Sequence, residues 1–491
     1  MKVLFYSNYH FNTETFGPYL EMMQTHLNAG DEVTFLTCNS ELSSCQINPF
    51  HSKLVCQTCI STRKNGIACL NGNVKEISIS DILKENEIDA HLDLINYNSI
   101  EDFRNVVFEK MDIGIAVLSS VVSIYRDPNP DLKAHASLIE NQWSSAMWVY
   151  EAIKKEITTT SYDTVYVFNA RFATLRACLR ACEFKGVDCH VLEQGRNKSC
   201  YAIYPNVMPH SIEHVVNLIK ESWVTGSKDK EQIAADYYIR RSQSKDERDG
   251  FYTESQEKGK LPEGWDITKT NIAIFNSSED EYVAIGKEWE NKLYKSQADA
   301  ISKITNEFRD NDAYRFYVRV HPNLLGIFNE SVTELYSLNN KNVIIIPADS
   351  NVSTYTLMFN ANKVISFGSS VGIEAAAFEK ISILAGQSFY RELGSTFNPK
   401  DHEELIELVK AENLEPKSTE GALMYAYYLN KFGRDYNYFK RKNPFEATLN
   451  NKKFGPSLPY LLIRKVGRWK RKRNEAKVKL ENIEKLRKFR G

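Results

Sequence analysis

Short apolar segments alternate with helix-length segments along most of the chain, a pattern typical of parallel sheets covered by helices on both faces. The first series predicts strands at Lys2–Ser7, Glu32–Thr37, Thr164–Phe168 and Cys189–Leu192, with helices at Gly17–Asn28 and Arg171–Lys185. The second predicts strands at Asn271–Phe275, Arg315–Val320, Val343–Ile346, Val364–Phe367 and Ile381–Ala385. Its predicted helices are Asp280–Phe308, Ser353–Asn360, Val371–Phe378 and His402–Lys410. The pattern predicts an α/β chain with two Rossmann-like domains.

The segment Gly226–Lys269 separates the two series and is rich in charged and polar residues. Such a composition is typical of a linker or an exposed insertion, so we place a domain boundary near residue 265. The predicted domains are residues 1–265, residues 266–435 and a C-terminal extension over residues 436–491. A chain of 491 residues is long enough for this division.

The charge of the chain is unevenly distributed. The whole sequence has a net charge of −1, but residues 464–491 contain thirteen basic and three acidic residues and the remaining chain carries −11. The chain as a whole has no excess of basic residues, so its overall charge does not indicate a nucleic-acid partner. The basic tail, with Trp469 inside it, favours adsorption to an anionic membrane surface over a solvated terminus or a nucleic-acid arm.

No stretch approaches the ~18–20 apolar residues needed to cross a bilayer, and Met1–Ser7 lacks the features of a secretory signal. Nine cysteines in such a chain favour reduced thiols or metal ligands over a disulfide framework. We therefore predict a cytoplasmic protein that is peripheral to the inner face of the cell membrane.

Ligands of open α/β sheets bind beyond the carboxyl ends of the strands, so residues that directly follow a strand are the first site candidates. Ser277 and Ser278 follow one predicted strand, and Glu281 stands three residues after Ser278. This spacing fits a capping box, in which the side chains satisfy backbone N–H groups of a helix. The same hydroxyls and N–H groups also suit a phosphate site.

The segment Arg319-Val320-His321-Pro322 ends the next predicted strand. Proline stops the sheet ladder and restrains the residue before it to an extended conformation. His321 and Arg319 would then lie on one face at the carboxyl edge, where both are candidates for phosphate contact.

A third turn, Phe367–Ala375, opens a helix of small residues. Gly368 and Gly372 permit close backbone approach, and Ser369 and Ser370 offer hydroxyls beside helix N–H groups. Glu374, one turn further, is placed to accept hydrogen bonds from a ribose. The alternative is that the small residues only let the helix pack on the sheet.

These three turns resemble the nucleotide-binding half of the capsule polysaccharide biosynthesis glycosyltransferases. That family consists of GT-B enzymes related to bacterial Kdo transferases and, more distantly, to sialyltransferases with a His-Pro motif. The first half is similar too: Val165–Phe172 resembles the family's Asn-Gly-Arg segment and Leu192–Arg196 its Glu-Arg-Gly segment. Ala170 replaces the glycine and Gln194 the arginine. The resemblance extends from Met1 to Gly394.

The resemblance implies a GT-B fold, in which two Rossmann-like domains face a central cleft. It implies that His321, Ser369 and Ser370 contact the phosphate of a nucleotide-sugar donor, and that Glu374 and the Ser277–Ser278 turn border the nucleotide. The His-Pro pair favours CMP as the carrier. Members of the fold generally need no catalytic metal, and the sequence shows no persuasive Asp-x-Asp motif at a strand end.

An acceptor hydroxyl needs a general base, and Glu193, directly after a predicted strand of the first domain, is the leading candidate. Asn169 and Arg171 follow a neighbouring strand and would orient the acceptor or the base. Glu14 and His10 are alternative bases. The competing interpretation of Glu193 is a structural salt bridge with Arg171 or Arg196.

Four cysteines lie within 22 residues of one another: Cys38, Cys45, Cys56 and Cys59. The last two form a C-x-x-C pair, which suits two of the four ligands of a structural zinc ion. The wider spacing of the first two argues against the usual paired pattern, and ordinary reduced thiols are the alternative.

The sequence thus predicts a metal-independent glycosyltransferase that moves a sugar from a nucleotide donor to a surface polysaccharide or lipid-linked glycan. Two alternatives are open. The first is a nucleotide-sugar 2-epimerase, which needs no acceptor. The second is a non-catalytic scaffold of the same shape in polysaccharide assembly.

Overall fold

The computed structural model describes residues 1–84, 99–243, 255–457, 459–460, 477–486 and 488, with the single positions 88, 92 and 97. The strands, in chain order, are β1 Lys2–Ser7, β2 Glu32–Thr37, β3 Val74–Ser78, β4 Thr164–Phe168, β5 Cys189–Gln194, β6 Cys200–Pro205, β7 Thr270–Phe275, β8 Tyr314–Arg319, β9 Val343–Ile346, β10 Lys363–Ser366, β11 Ile381–Leu384, β12 Arg434–Asp435, β13 Phe439–Asn443, β14 Glu446–Leu449 and β15 Lys452–Phe454.

The helices occupy the segments between these strands. In chain order they are α1 Thr13–Asn28, α2 Lys53–Ile67, α3 Ile79–Ile82, α4 Ile100–Arg104, α5 Ile113–Tyr125, α6 Ala136–Thr159, α7 Ala173–Lys185, α8 Ile212–Val224, α9 Lys230–Ser242, α10 Gln297–Asn306, α11 Glu330–Tyr336, α12 Thr354–Asn360, α13 Ser370–Ala377, α14 His402–Lys410 and α15 Glu420–Lys431. Residues 477–486 form a further C-terminal helix.

The chain forms two compact units. The first comprises Met1–Ser211 and the described residues from Phe432 to 460; the second comprises Ile212–Lys431 and the described residues from 477 onward. The first unit contains a seven-stranded sheet in the order β12-β6-β5-β4-β1-β2-β3. Its five strands β1–β5 are parallel, whereas β6 and β12 run antiparallel to their neighbours.

Strands β13–β15 form a small antiparallel sheet against α1 of the first unit. The carboxylate of Glu21, buried in α1, accepts the backbone N–H groups of Asn437, Tyr438 and Phe439 at 2.7–3.0 Å. A buried carboxylate that accepts three N–H groups satisfies both itself and the incoming chain. This contact fixes the point where the C-terminal segment joins the first unit.

The second unit is built on a five-stranded, wholly parallel sheet in the order β11-β10-β7-β8-β9. Its central strands are buried on both faces, with Ile274 and Val318 fully inaccessible on one face and Ala273 and Tyr317 on the other. Helices on each side cover the sheet, as continuous apolar strands require. The prediction of an α/β chain with two Rossmann-like units is therefore confirmed.

The predicted domain boundary near residue 265 is wrong, because the compact units change at Ser211 and return at Phe432. Helices α8 and α9 belong to the second unit, where Trp223, Tyr237 and Tyr238 pack against α13 and α15. The polar composition of Gly226–Lys269 suggested a linker, but three buried aromatic residues are enough to attach these helices to a core. The predicted boundary at 435/436 is likewise shifted to Lys431.

The predicted helix Asp280–Phe308 is also wrong in most of its length. Short 3₁₀ turns occupy Glu279–Glu281 and Lys287–Trp289, and the α-helix begins only at Gln297. Ser296 caps it by accepting the N–H of Asp299 at 3.1 Å. Among the described helices, none is long and apolar enough to cross a bilayer.

Candidate functional site

The carboxyl edge of the second sheet is organised by the residues that follow its central strand, β7. The side chain of Asn276 accepts the backbone N–H of His321 at 2.8 Å, beyond β8. The hydroxyl of Ser277 donates to the carbonyl of Phe367 at 2.8 Å, beyond β10. Because neighbouring strands lie about 4.8 Å apart, the His321 and Phe367 segments flank β7 roughly 10 Å from each other.

The ring of His321 is oriented by its own turn. Its Nδ1 accepts the backbone N–H of Asn323 at 3.1 Å, where Pro322 opens a short 3₁₀ turn. A nitrogen that accepts a hydrogen bond carries no proton, so the neutral ring bears its proton on Nε2. His321 therefore presents Nε2–H as a donor, which is what a phosphate oxygen needs.

The turn Gly368–Ser370 leads from β10 into α13. Gly368 has φ +98°, and a Cβ there would lie 2.6 Å from the carbonyl oxygen of Gln387, so only glycine fits without strain. Ser369 is the N-cap and accepts the N–H of Val371 at 3.4 Å, while Ser370 is exposed at the first position of the helix. Hydroxyls and the N-terminal dipole of α13 together suit an anion.

Two residues outside these motifs shape this edge. Tyr390 donates its hydroxyl to the carbonyl of Ser369 at 2.7 Å and lies 3.3 Å from the hydroxyl of Ser366. A Cβ at Gly372 would lie within 3 Å of both hydroxyl oxygens. Neither Tyr390 nor Asn276 was found by sequence reasoning, because an isolated tyrosine and a strand-end asparagine carry no motif of their own.

The structure gives Ser277 and Ser278 a structural place. Ser277 is buried and shares its hydroxyl with Phe367, Gln297 and Tyr282. Ser278 is buried and donates to Asp280 at 2.6 Å, and its side chain makes no helix-capping bond. The capping-box prediction is wrong because no α-helix starts at this turn. The two hydroxyls support the sheet edge rather than line it.

Glu279 is a further, partly buried carboxyl group at this edge that sequence reasoning missed. Its carboxylate accepts the N–H of Gln297 at 2.9 Å, at the first residue of α10. Burial raises the pKa of this carboxyl to about 7. Glu279 thus occupies the N-terminus of α10, whereas the start of α13 has an exposed hydroxyl, that of Ser370.

Arg319 and Glu374 face inward, in contrast to their predicted roles at the nucleotide. Arg319 is buried and donates to the backbone carbonyls of Pro347 and Ser350, and burial lowers the pKa of its guanidinium to about 10. Glu374 is buried in an ion pair with Arg241 at 3.1 Å and accepts the hydroxyl of Tyr355 at 2.5 Å. Side-chain direction was set by tertiary partners that spacing along the chain does not reveal.

In the first unit, Glu193 and Asn169 meet at the carboxyl edge of the sheet. The amide of Asn169 donates to Glu193 Oε2 at 2.7 Å, and the N–H of Gln194 donates to Oε1 at 2.9 Å. Burial raises the pKa of the Glu193 carboxyl, and the nearby charge of Glu14 raises it further. A carboxyl with a raised pKa at a sheet edge is suited to proton transfer.

The two arginines considered as salt-bridge partners of Glu193 have partners of their own. Arg171 is buried, and its Nε donates to the hydroxyl of Ser119 at 2.8 Å. Arg196 pairs with Asp435 at 2.5 Å. The described contacts of the Glu193 carboxylate are thus with Asn169 and a backbone N–H, and the alternative salt bridge with Arg171 or Arg196 is not formed.

The alternative bases are engaged elsewhere. Glu14 pairs with Arg441 at 2.6 Å. His10 is fully buried, and burial lowers the pKa of its imidazole well below the usual range. Glu193 therefore stays the candidate base among these three residues.

The four clustered cysteines, Cys38, Cys45, Cys56 and Cys59, line one small cavity together with His51. Burial raises the pKa of the Cys38 thiol to about 11 and that of Cys59 to about 12, so both carry their protons at neutral pH. In the part of the chain that the structure describes, no three His, Cys, Asp or Glu side chains are arranged to hold a metal ion. The cavity brings the four cysteines together, and a structural zinc ion there stays a prediction.

Fold and site together define an α/β protein with hydrogen-bond donors at the carboxyl edge of its second unit and a carboxyl group of raised pKa in its first. The sequence profile described as capsule polysaccharide biosynthesis protein matches residues 268–430, about a third of the chain. This range contains β7–β11 with His321, Ser369 and Ser370. The predicted resemblance to the capsule polysaccharide biosynthesis family is therefore confirmed for this region. No curated protein sequence matches the chain significantly.

Solved structures similar to this chain include Thermosulfurimonas dismutans KpsC, a beta Kdo 2,4 transferase, at 14% identity and TM-score 0.33, covering 54% of this chain and 79% of that one. A UDP-GlcNAc 2-epimerase from Neisseria meningitidis, bound to UDP-GlcNAc, is 11% identical with TM-score 0.28, covering 88% and 98%. CalG4, the calicheamicin glycosyltransferase, is 11% identical with TM-score 0.26, covering 87% and 94%. Similarity at this level does not identify a function.

Proposed function

We propose that the chain is a glycosyltransferase of capsule or surface polysaccharide biosynthesis, which takes a sugar from a nucleotide donor. The observation that carries the proposal is the family match over residues 268–430, since it covers the edge where His321 and the start of α13 offer donors to an anion. The His321-Pro322 pair, through its resemblance to the sialyltransferase motif, favours a CMP-linked sugar. The acceptor would be a growing polysaccharide or a lipid-linked glycan.

In the reaction, the acceptor hydroxyl forms a bond to the anomeric carbon while the bond from that carbon to the phosphate oxygen breaks. Negative charge develops on the departing nucleotide, and fixed donors aimed at that charge lower the barrier. His321 Nε2–H, the hydroxyls of Ser369 and Ser370 and the N-terminus of α13 supply such donors. Glu193 receives the proton of the acceptor hydroxyl, and Asn169 holds the carboxylate that receives it.

The proposed reaction draws its catalytic groups from the chain itself, because hydrogen-bond donors replace a metal at the leaving phosphate. The membrane partner is also proposed. The basic segment of residues 464–476 lies outside the described residues, so its support is its charge alone. Full-length protein is expected to cosediment with phosphatidylglycerol vesicles and to remain in solution with phosphatidylcholine vesicles.

The experiment that tests the donor site is a thermal-shift screen with CMP, UDP, GDP and their sugar conjugates. A ligand that binds only the folded state raises its stability in proportion to ln(1 + [L]/Kd). We expect one nucleotide to raise the melting temperature of the wild type and to lose most of this effect in His321→Ala. The matched control is His402→Ala, since His402 begins α14 and bonds to Tyr294 rather than to the site.

Three outcomes would contradict the proposal. If the nucleotide raises the melting temperature of His321→Ala as much as that of the wild type, His321 is not part of the nucleotide site. If no nucleotide at millimolar concentration shifts the melting temperature, the result favours the alternative of a non-catalytic scaffold in polysaccharide assembly. Release of a free epimerised sugar from a nucleotide sugar, without acceptor, would favour the 2-epimerase.

A further inference from the structure

The C-terminal helix, residues 477–486, lies against the loop that follows His321. Asn482 donates its side-chain amide to the carbonyl of Gly326 at 3.0 Å. The ammonium of Lys485 lies 5.3 Å from the ring centroid of Phe328, within cation–π range. These two contacts attach the helix to a loop that begins directly after the candidate phosphate ligand.

Gly326 shows how closely the helix approaches. It has φ +80°, and a Cβ on it would overlap Cγ of Lys479. The lysine stem therefore crosses directly over the glycine, and both the backbone conformation and the contact require the absence of a side chain.

Beside this contact the helix inserts apolar side chains between two loops. Ile483 and Leu486 line a small cavity with Leu324 and Tyr336, and with Pro347 and Ala348 from the loop after β9. Leu486 is 5% exposed and belongs to the main core of the second unit, whereas Leu480 on the same helix is 62% exposed. The helix is thus bound through one face.

The two loops that this helix contacts both lie beside His321, at the carboxyl edge of the second sheet. The first contains the 3₁₀ turn Pro322–Leu324, whose Asn323 N–H orients the His321 ring. The second supplies the carbonyls of Pro347 and Ser350 that hold Arg319, the last residue of β8. Fixing both loops fixes the backbone on either side of His321.

We propose that the C-terminal helix is a positioning element of the donor site, which holds the loop of residues 322–328 and through it the ring of His321. This role rests on the proposed function of His321. The backbone hydrogen bonds of the loop are local ones, from Leu324, Leu325 and Ile327 to residues three positions earlier, so contacts with the helix are what attach it to the rest of the unit. The basic segment of residues 464–476 runs directly into this helix, which in turn contacts the loop of residues 322–328 through its hydrogen bond to Gly326 and its ring contact with Phe328.

The test compares Leu486→Ala with Leu480→Ala, two identical changes on one helix that differ in burial. Amide hydrogen exchange is followed at Leu324, Leu325 and Ile327, whose N–H groups bond to His321, Pro322 and Leu324. We expect exchange at these amides to rise about tenfold in Leu486→Ala and to stay unchanged in Leu480→Ala. Asn482→Ala serves as a milder second variant with the same direction.

The functional measurement is the affinity for CMP, or for whichever nucleotide shifts the wild type. We expect Kd to rise by about threefold to tenfold in Leu486→Ala while Leu480→Ala binds as the wild type does. Unchanged exchange in both Leu486→Ala and Asn482→Ala would overturn the docking role. Faster exchange with unchanged Kd would overturn the positioning role. A wild type that binds no nucleotide would instead refute the proposed function, and the exchange comparison would still report on the helix.

Discussion

The carboxyl edges of the two sheets each contain a turn with left-handed backbone, but different residue types adopt that conformation. In the first unit the turn after β4 has two consecutive left-handed residues with side chains, Asn169 at φ 62° and Ala170 at φ 53°. In the second unit the turn after β10 has a glycine, Gly368, at φ 98°. Left-handed backbone costs about 1–2 kcal/mol per non-glycine residue, so the first turn is strained and the second is not.

The difference shows what each edge is organised around. In the first turn the side chain of Asn169 accepts the N–H of Arg171 at 3.2 Å and donates to Glu193, so the strained residue positions a carboxyl group. In the second turn the missing side chain lets the backbone approach Gln387 and leaves the start of α13 accessible. One edge presents a titratable acid, and the other presents backbone and hydroxyl donors.

Glu193→Gln tests the acid edge and has the largest expected effect. Loss of a general base lowers kcat by about 10²–10⁴-fold. The matched control is Glu14→Gln, since Glu14 is a nearby carboxyl already paired with Arg441. Steady-state kinetics with the identified donor and acceptor measure both, and a Glu193→Gln enzyme with wild-type kcat would remove Glu193 from the mechanism.

The same variant changes the pH dependence of stability. Burial raises the pKa of Glu193 in the folded state, so the folded protein keeps a proton that the unfolded chain has already lost. The free energy of unfolding therefore falls as pH rises from the ordinary carboxyl pKa through the raised one. Denaturant unfolding at several pH values should show this slope in the wild type and a shallower slope in Glu193→Gln.

Gly368→Ala tests the donor edge. The new Cβ would lie 2.6 Å from the carbonyl oxygen of Gln387, and the alanine would have to keep an unfavourable positive φ. We therefore expect the free energy of unfolding to fall by about 2–4 kcal/mol. Gly394→Ala is the control, because Gly394 has φ +81° and a Cβ added there would meet nothing within 4 Å. Conformational strain alone should cost about 1 kcal/mol there, and equal losses at both sites would show that the Gln387 contact is unimportant.

Ala170→Gly is expected to change the free energy of unfolding least, and to raise it where Gly368→Ala lowers it. Relief of left-handed strain is partly offset by the entropy of glycine and by the lost methyl group, so we expect stability to rise by less than about 1 kcal/mol. Ala177→Gly, at a buried position inside α7, should instead lose about 1 kcal/mol. Chemical denaturation distinguishes the two signs, and a destabilised Ala170→Gly would mean that the turn is not strained.

Much of the α/β pattern was predictable because parallel strands are apolar on both faces. Strands β1, β2, β4 and β9 and helix α14 match their predicted bounds. The turns at His321 and Gly368 were also found, since residues after strand ends collect at one edge, whereas Glu193, predicted to follow its strand, lies within β5 near its end. The helix predicted over Asp280–Phe308 was wrong over its first part, because the chain forms two short 3₁₀ turns and connecting loops there and the α-helix begins at Gln297.

By itself, the sequence determined where the strands end and therefore which residues reach the two sheet edges. Only the tertiary structure decided which of those side chains turn outward. Arg319 and Glu374 face inward because the carbonyls of Pro347 and Ser350 and the guanidinium of Arg241 receive them, and these partners are distant in the chain. Periodicity encodes burial along one element, whereas the pairing of buried polar groups depends on contacts between elements.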